Sequence, residues 1–575
     1  MQSNTIEIQG KRGPFLMERN IQIPMRDGTH LFANLYRATG SGVHPVVLTL
    51  GPYGKDVHLS QFMPPAFEEL MVRCPEVAAH STLSHLVFET PDPESWVYEG
   101  YHILKIDSRG AGKSPGKLDV NSPAEFQDLY DAIEWAGVQD WSNGRVGLLG
   151  ISYYAAGQWM IASLKPPHLA AIVPWQGASD FYRDRTRQGG IFGSGFAKRW
   201  WNRSVLRNQH GNSDSPFVDI VTGERNTGPL ALDASTLENN RTDYIGQILA
   251  HPLDDEFYRE RSPSFDQIQI PALVVANYGG LGLHLRGTVE GFLNIASKDK
   301  WLKLQTGSYF LTFLMPENVK LQQRFFDRFL KQINNGWERE SRVEVCVRGV
   351  DDQVHDNVLG ESWPLDHTKW TPLYLSDKSC RLSYEKPEKA ERYNYQAWSE
   401  GLSFELGPLN EELRFAGPAV AKLFVSSSTR DMDLFVTLRA FDADGKEVTF
   451  FSATEPRSPV SQGWLRVSQR ALDPIKSLPY RPFHTHQKSD FLQQDVIYEV
   501  EVEIWPSSLH LPKGSSLVLC VQGQDFERLS EVGEQRGSGW FLHNDSQDRP
   551  KAIFDAQCSI HSSPENPSYL LLPII

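Results

Sequence analysis

Cysteine is scarce in this chain: five residues in 575, Cys74, Cys346, Cys380, Cys520 and Cys558, odd in number and with no CxxC pair. That spacing speaks against a disulfide framework and a zinc site, so reduced thiols are expected. Basic charge is in deficit. A net charge of −14 argues against a nucleic-acid or anionic-membrane partner, either of which wants a basic face. No run of about 18 apolar residues occurs, and Met1–Glu7 holds no basic segment leading into an apolar one. A cytoplasmic protein, neither secreted nor membrane-spanning, is expected. A phosphate loop, a GxGxxG step between strand and helix, and a His/Cys/Asp cluster at metal spacing are also missing, so neither cofactor nor metal is implied. The partner left is a small molecule, with a homo-oligomer an open expectation.

What is present is enough apolar material for two or three domains: 40% of residues are hydrophobic and 11% aromatic. Residues about 17 to 37 read as a β-hairpin around Met25-Arg26-Asp27-Gly28-Thr29, whose Asp-Gly pair supplies a positive φ. Three continuous apolar runs follow, at 45–50, 101–106 and 145–149, and uninterrupted apolar strands imply burial on both faces. Between them Ser122-Pro123-Ala124-Glu125 offers an N-cap, a proline at N1 and an acid at N3. Phe126, Leu129, Tyr130, Ile133 and Trp135 then recur at near-helical spacing. Strands alternating with helices predict a mostly parallel sheet covered on both faces.

Two more core strands are expected at 170–175 and 270–276, separated by a long insertion that reads as a helical cap over about 178–265. Its aromatics suggest an apolar ligand. The candidate substrate-binding residues are Phe181, Tyr182, Phe192 and Trp200 in the cap, with Trp175 and Tyr278 on the core strands; Phe196 and Trp201 belong to the same aromatic group. Asp180 and Asp184 with Arg183 and Arg185 offer groups to orient a polar substrate, though a surface ion-pair cluster is the better reading. After about residue 340 the texture changes to short alternating strands, at 370–375, 419–425, 433–441 and 498–504, broken by turns such as Asp442-Ala443-Asp444-Gly445. The expected architecture is an α/β domain over 1–340 and an all-β jelly-roll sandwich over 341–575.

Gly147-Leu148-Leu149-Gly150-Ile151-Ser152-Tyr153-Tyr154 sets an apolar strand against a Gly-x-Ser step and a helix-forming run, the pattern of a nucleophile elbow. With Gly51-Pro52-Tyr53-Gly54-Lys55, Asp107-Ser108-Arg109-Gly110-Ala111-Gly112-Lys113-Ser114-Pro115-Gly116, Ile133-Glu134-Trp135 and Gly463-Trp464-Leu465-Arg466, it gives a highly specific set. The chain resembles the CocE/NonD hydrolases, the cocaine esterase and X-prolyl dipeptidyl aminopeptidase group, over nearly its whole length. The resemblance implies an α/β-hydrolase domain, a helical cap and a C-terminal jelly roll. It also implies that Ser152 is the nucleophile, with the Tyr153 backbone N–H and the Tyr53 hydroxyl as donors to an oxyanion.

The resemblance places an acid after the strand at 270–276, where Gly280 stands, and a histidine after the next strand, where Tyr309 stands. Without a base the serine hydroxyl stays protonated; in well-studied serine proteases removing the histidine lowers turnover on the order of a million-fold. Tyrosine, which titrates near 10, is a poor substitute. His284 and His58 are the candidates for a relocated base, whereas His168, His251 and Glu134 read as structural. Three functions are therefore open. The first is a repurposed enzyme that binds an apolar carbonyl compound and promotes cyclisation or isomerisation, as in natural-product tailoring, with Tyr309 as a further hydrogen-bond donor. The second is a serine esterase or amidase with a relocated base, and the third a catalytically silent binding protein.

Overall fold

The computed structural model describes residues 4–40, 42–528 and 530–575. The Asp27-Gly28 turn closes the opening hairpin: Gly28 adopts φ 85° and its N–H donates to the Met25 carbonyl at 2.9 Å. The flanking strands Gly13–Pro24 and His30–Ala38 pair antiparallel. Each continuous apolar run becomes a core strand: His44–Gly51, His102–Asp107, Ser142–Ile151, Leu169–Trp175 and Ala272–Asn277, with Lys300–Gln305 beyond them. Neighbouring members of this set are parallel. Their alternate residues feed two different hydrophobic cores. Val47, Leu149, Val173 and Val275 pack on one face, and Val46, Leu148, Ile172 and Val274 on the other.

Among the described residues this sheet has eleven strands, and it runs past residue 340, where the first domain was expected to end. Val343–Arg348 continues it in parallel to Lys300–Gln305, and Val354–Gly360 adds an antiparallel edge. The helix Pro123–Gly137 starts as its cap signal implies, with the Ser122 hydroxyl accepting from the Glu125 N–H at 3.2 Å. The Glu125 side chain does not reach back to Ser122. It accepts from the Asn121 N–H and from the Tyr153 hydroxyl, and burial lifts its pKa to about 7.

Between Trp175 and Ala272 the chain forms short helical pieces, including a π-helix at Phe181–Thr186 capped by Asp180, an α-helix at Ser194–Trp200, and further turns at Ala234–Asn239 and Tyr244–Ala250. The ion-pair cluster expected on the cap surface is buried instead. Asp184 pairs with Arg286 at 2.9 Å, and Arg183 bridges Asp180 and Asp254 while donating to the His484 and Thr485 carbonyls of the C-terminal domain. The cap is clamped between two domains, so its charges lose solvent and must be paired.

From Lys369 onward strands such as Leu413–Ser427, Asp433–Phe441 and Tyr498–Leu511 build a second sheet that closes on itself, because Leu413–Ser427 pairs also with Tyr569–Ile574. This is the C-terminal jelly-roll domain. Arg466 of the Gly463–Arg466 motif bonds Asp433 and Asp548, and Arg187 of the cap reaches the same Asp548 at 2.6 Å. Among the described residues no helix is long and apolar enough to cross a membrane.

Candidate active site

Strand Ser142–Ile151 stops one residue short of helix Tyr153–Leu164, and Ser152 makes the reversal at φ 56°, ψ −108°. For a residue other than glycine such a backbone state costs on the order of 1–3 kcal/mol. Neighbouring carbonyls hold it: the Ser152 N–H donates to Trp175 and Gln176, each at 3.2 Å. Gly150 makes the approach possible, since a Cβ there would lie 2.5 Å from Cβ of Tyr154. Ser152 thus faces a cavity of about 530 Å³, whose wall also includes Tyr53, Phe88, Glu89, Arg185, Trp200, His284 and Tyr309.

Tyr53 follows strand His44–Gly51, and its loop is fixed by the neighbouring motif. The Asp107 carboxylate accepts from the backbone N–H groups of Lys55 at 2.6 Å and Lys113 at 2.9 Å. The Tyr53 phenol accepts a hydrogen bond from the Trp200 indole N–H at 2.9 Å. One lone pair is then engaged while the hydroxyl proton remains free to donate. Burial, with Glu89 nearby, holds the phenol pKa well above 10, so it stays a neutral donor. The Tyr153 side chain is not part of the wall; its hydroxyl is committed to Glu125 and its ring stacks on Trp200.

The two downstream loops carry no acid or histidine at the places the resemblance pointed to. Tyr278–Gly280 is a tight turn. A Cβ on Gly279 would meet the Gly307 carbonyl at 2.1 Å, and one on Gly280 the Gln176 amide nitrogen at 2.4 Å. Gln176 fills the space, hydrogen-bonded to the Asn277 carbonyl and the Thr288 hydroxyl. Tyr309 starts the helix Tyr309–Leu314 on the cavity wall, and burial holds its pKa well above 10, which excludes a base and leaves a donor.

His284 lines the same cavity, edge-on to Tyr309 at 5.6 Å, with Nδ1 buried and unpartnered. Burial, and then Arg185, lower its pKa to about 3. It is a neutral imidazole with no carboxylate to orient it. His58 is structural: its ring nitrogens meet Ser60 Oγ at 2.7 Å and the Leu83 carbonyl at 2.8 Å. His168 pairs with Glu134 and His251 with Asp255.

Of the six aromatic residues expected to bind substrate, only Trp200 lines the cavity. Trp175 is fully buried against Phe313. Phe181 packs on Phe257 and Tyr258, and the Tyr182 hydroxyl is spent on the Pro252 carbonyl and Gln469. Phe192 is fully buried against the cap, its N–H donating to Asp548. Tyr278 turns to the other core, under the Arg348 guanidinium. A wide aromatic cap has a core of its own, which took Phe181, Tyr182 and Phe192, while Trp175 and Tyr278 stay in the cores beside the sheet.

Arg185 was read with the cap's ion pairs, and two further contributions, from the C-terminal domain and Glu89, escaped the sequence. Arg185, on the cap's π-helix, lies over the Tyr153 and Trp200 rings and lines the cavity. The C-terminal domain supplies part of the wall through Phe451–Pro456 and Trp540. Glu89, in the irregular stretch before strand His102–Asp107, is 7% exposed and also left-handed, at φ 61°. Burial raises its pKa well above the usual range, against the smaller opposing pull of the neighbouring Ser152 hydroxyl, Arg185 and the Tyr153 N–H. A single acid in a loop carries no periodic or spacing signal, so only the fold reveals it. Among the described residues no cluster of three or more His, Cys, Asp or Glu is placed to hold a metal.

The chain's relatives share this arrangement of domains. Residues 27–308 match the model of the X-Pro dipeptidyl-peptidase (S15) family, and residues 335–571 that of the X-Pro dipeptidyl-peptidase C-terminal non-catalytic domain. Cocaine esterase from a Rhodococcus species is 24% identical over 98% of this chain and 99% of its own length. A Xaa-Pro dipeptidyl-peptidase of Streptococcus pneumoniae is 21% identical over 82% of this chain and 65% of its own. A solved CocE/NonD family hydrolase from Staphylococcus aureus superposes with a TM-score of 0.86 at 31% identity, covering 100% of this chain and 97% of that one. A likeness of that depth over both domains, elbow and jelly roll alike, makes this chain a member of the CocE/NonD family.

Proposed function

We propose that this protein hydrolyses a carboxylic ester of a small molecule with an apolar body. Ser152 is the nucleophile, and the Tyr53 hydroxyl and Tyr153 N–H are the oxyanion donors. The observation that carries the proposal is the strained Ser152, held left-handed at a strand–helix junction and facing a cavity whose wall includes a phenol already oriented to donate. Strain of this kind persists where the surroundings over-determine it, and it clusters at reacting positions. Phe62, Phe88, Phe196 and Phe310 make much of the wall apolar, which suits an aromatic or alkyl acyl or alcohol group. Relatives named as an esterase and as peptidases support hydrolysis as the reaction class.

Gly279, Gly280 and Tyr309 favour a second reading. With the acid and histidine of a serine triad replaced, the same donors would polarise a carbonyl for cyclisation or isomerisation without any covalent intermediate. Intact-mass measurement after treatment with a fluorophosphonate separates the two. Stoichiometric labelling that Ser152→Ala abolishes supports the hydrolase. A folded protein that stays unlabelled supports the second reading or plain binding, which turnover assays on carbonyl substrates then distinguish.

A further inference from the structure

We infer that Glu89 is the proton acceptor for Ser152, a carboxylate base in place of histidine. The inference rests on reading Ser152 as the nucleophile. Glu89 is nine-tenths buried on the cavity wall, and its Oε2 has no hydrogen-bond partner. Its backbone is tied to the elbow, because the Glu89 carbonyl accepts the Ile151 N–H at 3.0 Å, one residue before the serine. Its φ of 61° is strained for a side chain of this size. Glu89 and Ser152 line the same cavity, and the Ser152 hydroxyl and the Tyr153 N–H both favour the ionised form of its carboxyl group. A buried, strained acid with an unsatisfied oxygen beside a strained serine has no evident role in stability, since its burial opposes folding whenever it is charged.

The step balances with no further reagent. The Glu89 carboxylate takes the Oγ proton as Oγ bonds to the carbonyl carbon, and the carbonyl π pair moves to oxygen, where the Tyr53 hydroxyl and Tyr153 N–H hold it. Collapse of the adduct re-forms the carbonyl and expels the alkoxide, which receives the proton from Glu89. Water, deprotonated by the same carboxylate, then cleaves the acyl-enzyme, and the proton returns to Oγ as the acid leaves. One N–H links the two halves of this scheme. The Tyr153 N–H favours the ionised form of the Glu89 carboxyl group. A substrate carbonyl that claims it removes a donor from the carboxylate, which strengthens the base just when the proton must leave.

The groups facing Glu89 are Arg185 from the cap, Tyr53 from the first loop, Tyr154 from the elbow helix, and Tyr309 and His284 from the downstream loops. The phenols titrate well above 10 and His284 at about 3. An activity limb between those limits belongs to Glu89 if Glu89→Gln removes it and Glu89→Asp displaces it, whereas one set by Glu125, which bonds the Tyr153 hydroxyl and titrates at about 7, survives both substitutions. The Glu89 limb rises with pH, because the ionised form is the active one.

The test follows fluorophosphonate labelling and p-nitrophenyl ester hydrolysis from pH 4 to 9 in the wild type, Glu89→Gln, Glu89→Asp and Ser152→Ala, with circular dichroism as the fold check. Glu89→Gln should slow labelling at least about a hundredfold, the usual scale of general-base catalysis, and should abolish the rising limb. Glu89→Asp should retain more activity than Glu89→Gln, with a displaced limb. If folded Glu89→Gln labels like the wild type, Glu89 is not the base, although the serine reading stands. If Glu89→Gln does not fold, the limb of Glu89→Asp decides: displaced supports the base, unmoved overturns it. A wild type that never labels overturns the serine reading and the base together.

Discussion

The loops after His44–Gly51 and Ser142–Ile151 differ in kind from those after Ala272–Asn277 and Lys300–Gln305. The first pair presents Tyr53 and Ser152; the second presents Gly279, Gly280 and Tyr309. The difference follows from what each function needs. Stabilising an oxyanion uses backbone geometry, the strained turn at Ser152 and the N–H after it, which sits inside the core and cannot change without refolding the strand–helix junction. Transferring a proton uses one side chain, and a side chain can be supplied from another loop.

That asymmetry can be broken in graded ways. Ser152→Ala should bring ester turnover to background, at least about 10⁴-fold down, with the thermal unfolding curve retained; persistent turnover would move the reaction off the elbow. Tyr53→Phe should lower kcat by roughly 10²–10³-fold, the value of one oxyanion donor. Equal losses in kcat and kcat/KM are the signature to look for, since a change in KM alone would mean simple binding. Installing the absent pair as Gly280→Asp with Tyr309→His should give no gain in rate. The new Cβ meets Gln176 at 2.4 Å, so a stability loss of about 1–3 kcal/mol from overpacking is expected in denaturant titrations.

Smaller effects sharpen the same contrast. Trp200→Phe removes the hydrogen bond that orients Tyr53, a net term of about 1 kcal/mol, so a loss of about fivefold in kcat is expected. Combining it with Tyr53→Phe should add almost nothing. His284→Gln should change turnover least of the five. Its clearer mark is on stability: burial, with Arg185, holds the imidazole at about 3 against an ordinary 6.5. The unfolded chain therefore binds more protons between those values, and stability falls as pH drops from about 6.5 toward 3. The variant should show a shallower fall in pH-dependent unfolding.

The apolar runs and the elbow were legible because burial on both faces and a strand–turn–helix order leave marks in consecutive residues. Ser152 and Tyr53 line one cavity. The substrate wall was not legible. Trp175 and Tyr182 look no different in sequence from Trp200, yet the first two pack in cores and only the third reaches the cavity. Glu89 and the Phe451–Pro456 segment lie far from Ser152 in sequence, and their arrival depends on tertiary placement that no spacing encodes. The ion pairs of the cap were misplaced at the surface for a related reason: charge composition does not tell which face a second domain will cover.

Trp200 belongs to the cap and Tyr53 to the hydrolase core, and a single hydrogen bond joins them. A molecule too bulky for the cavity would lift the helix Ser194–Trp200, and in doing so would release the phenol from its fixed torsion. Such a molecule is penalised twice, once by poor seating and again by a weaker catalyst. The bond therefore makes the seating of the cap and the orientation of the phenol a single variable.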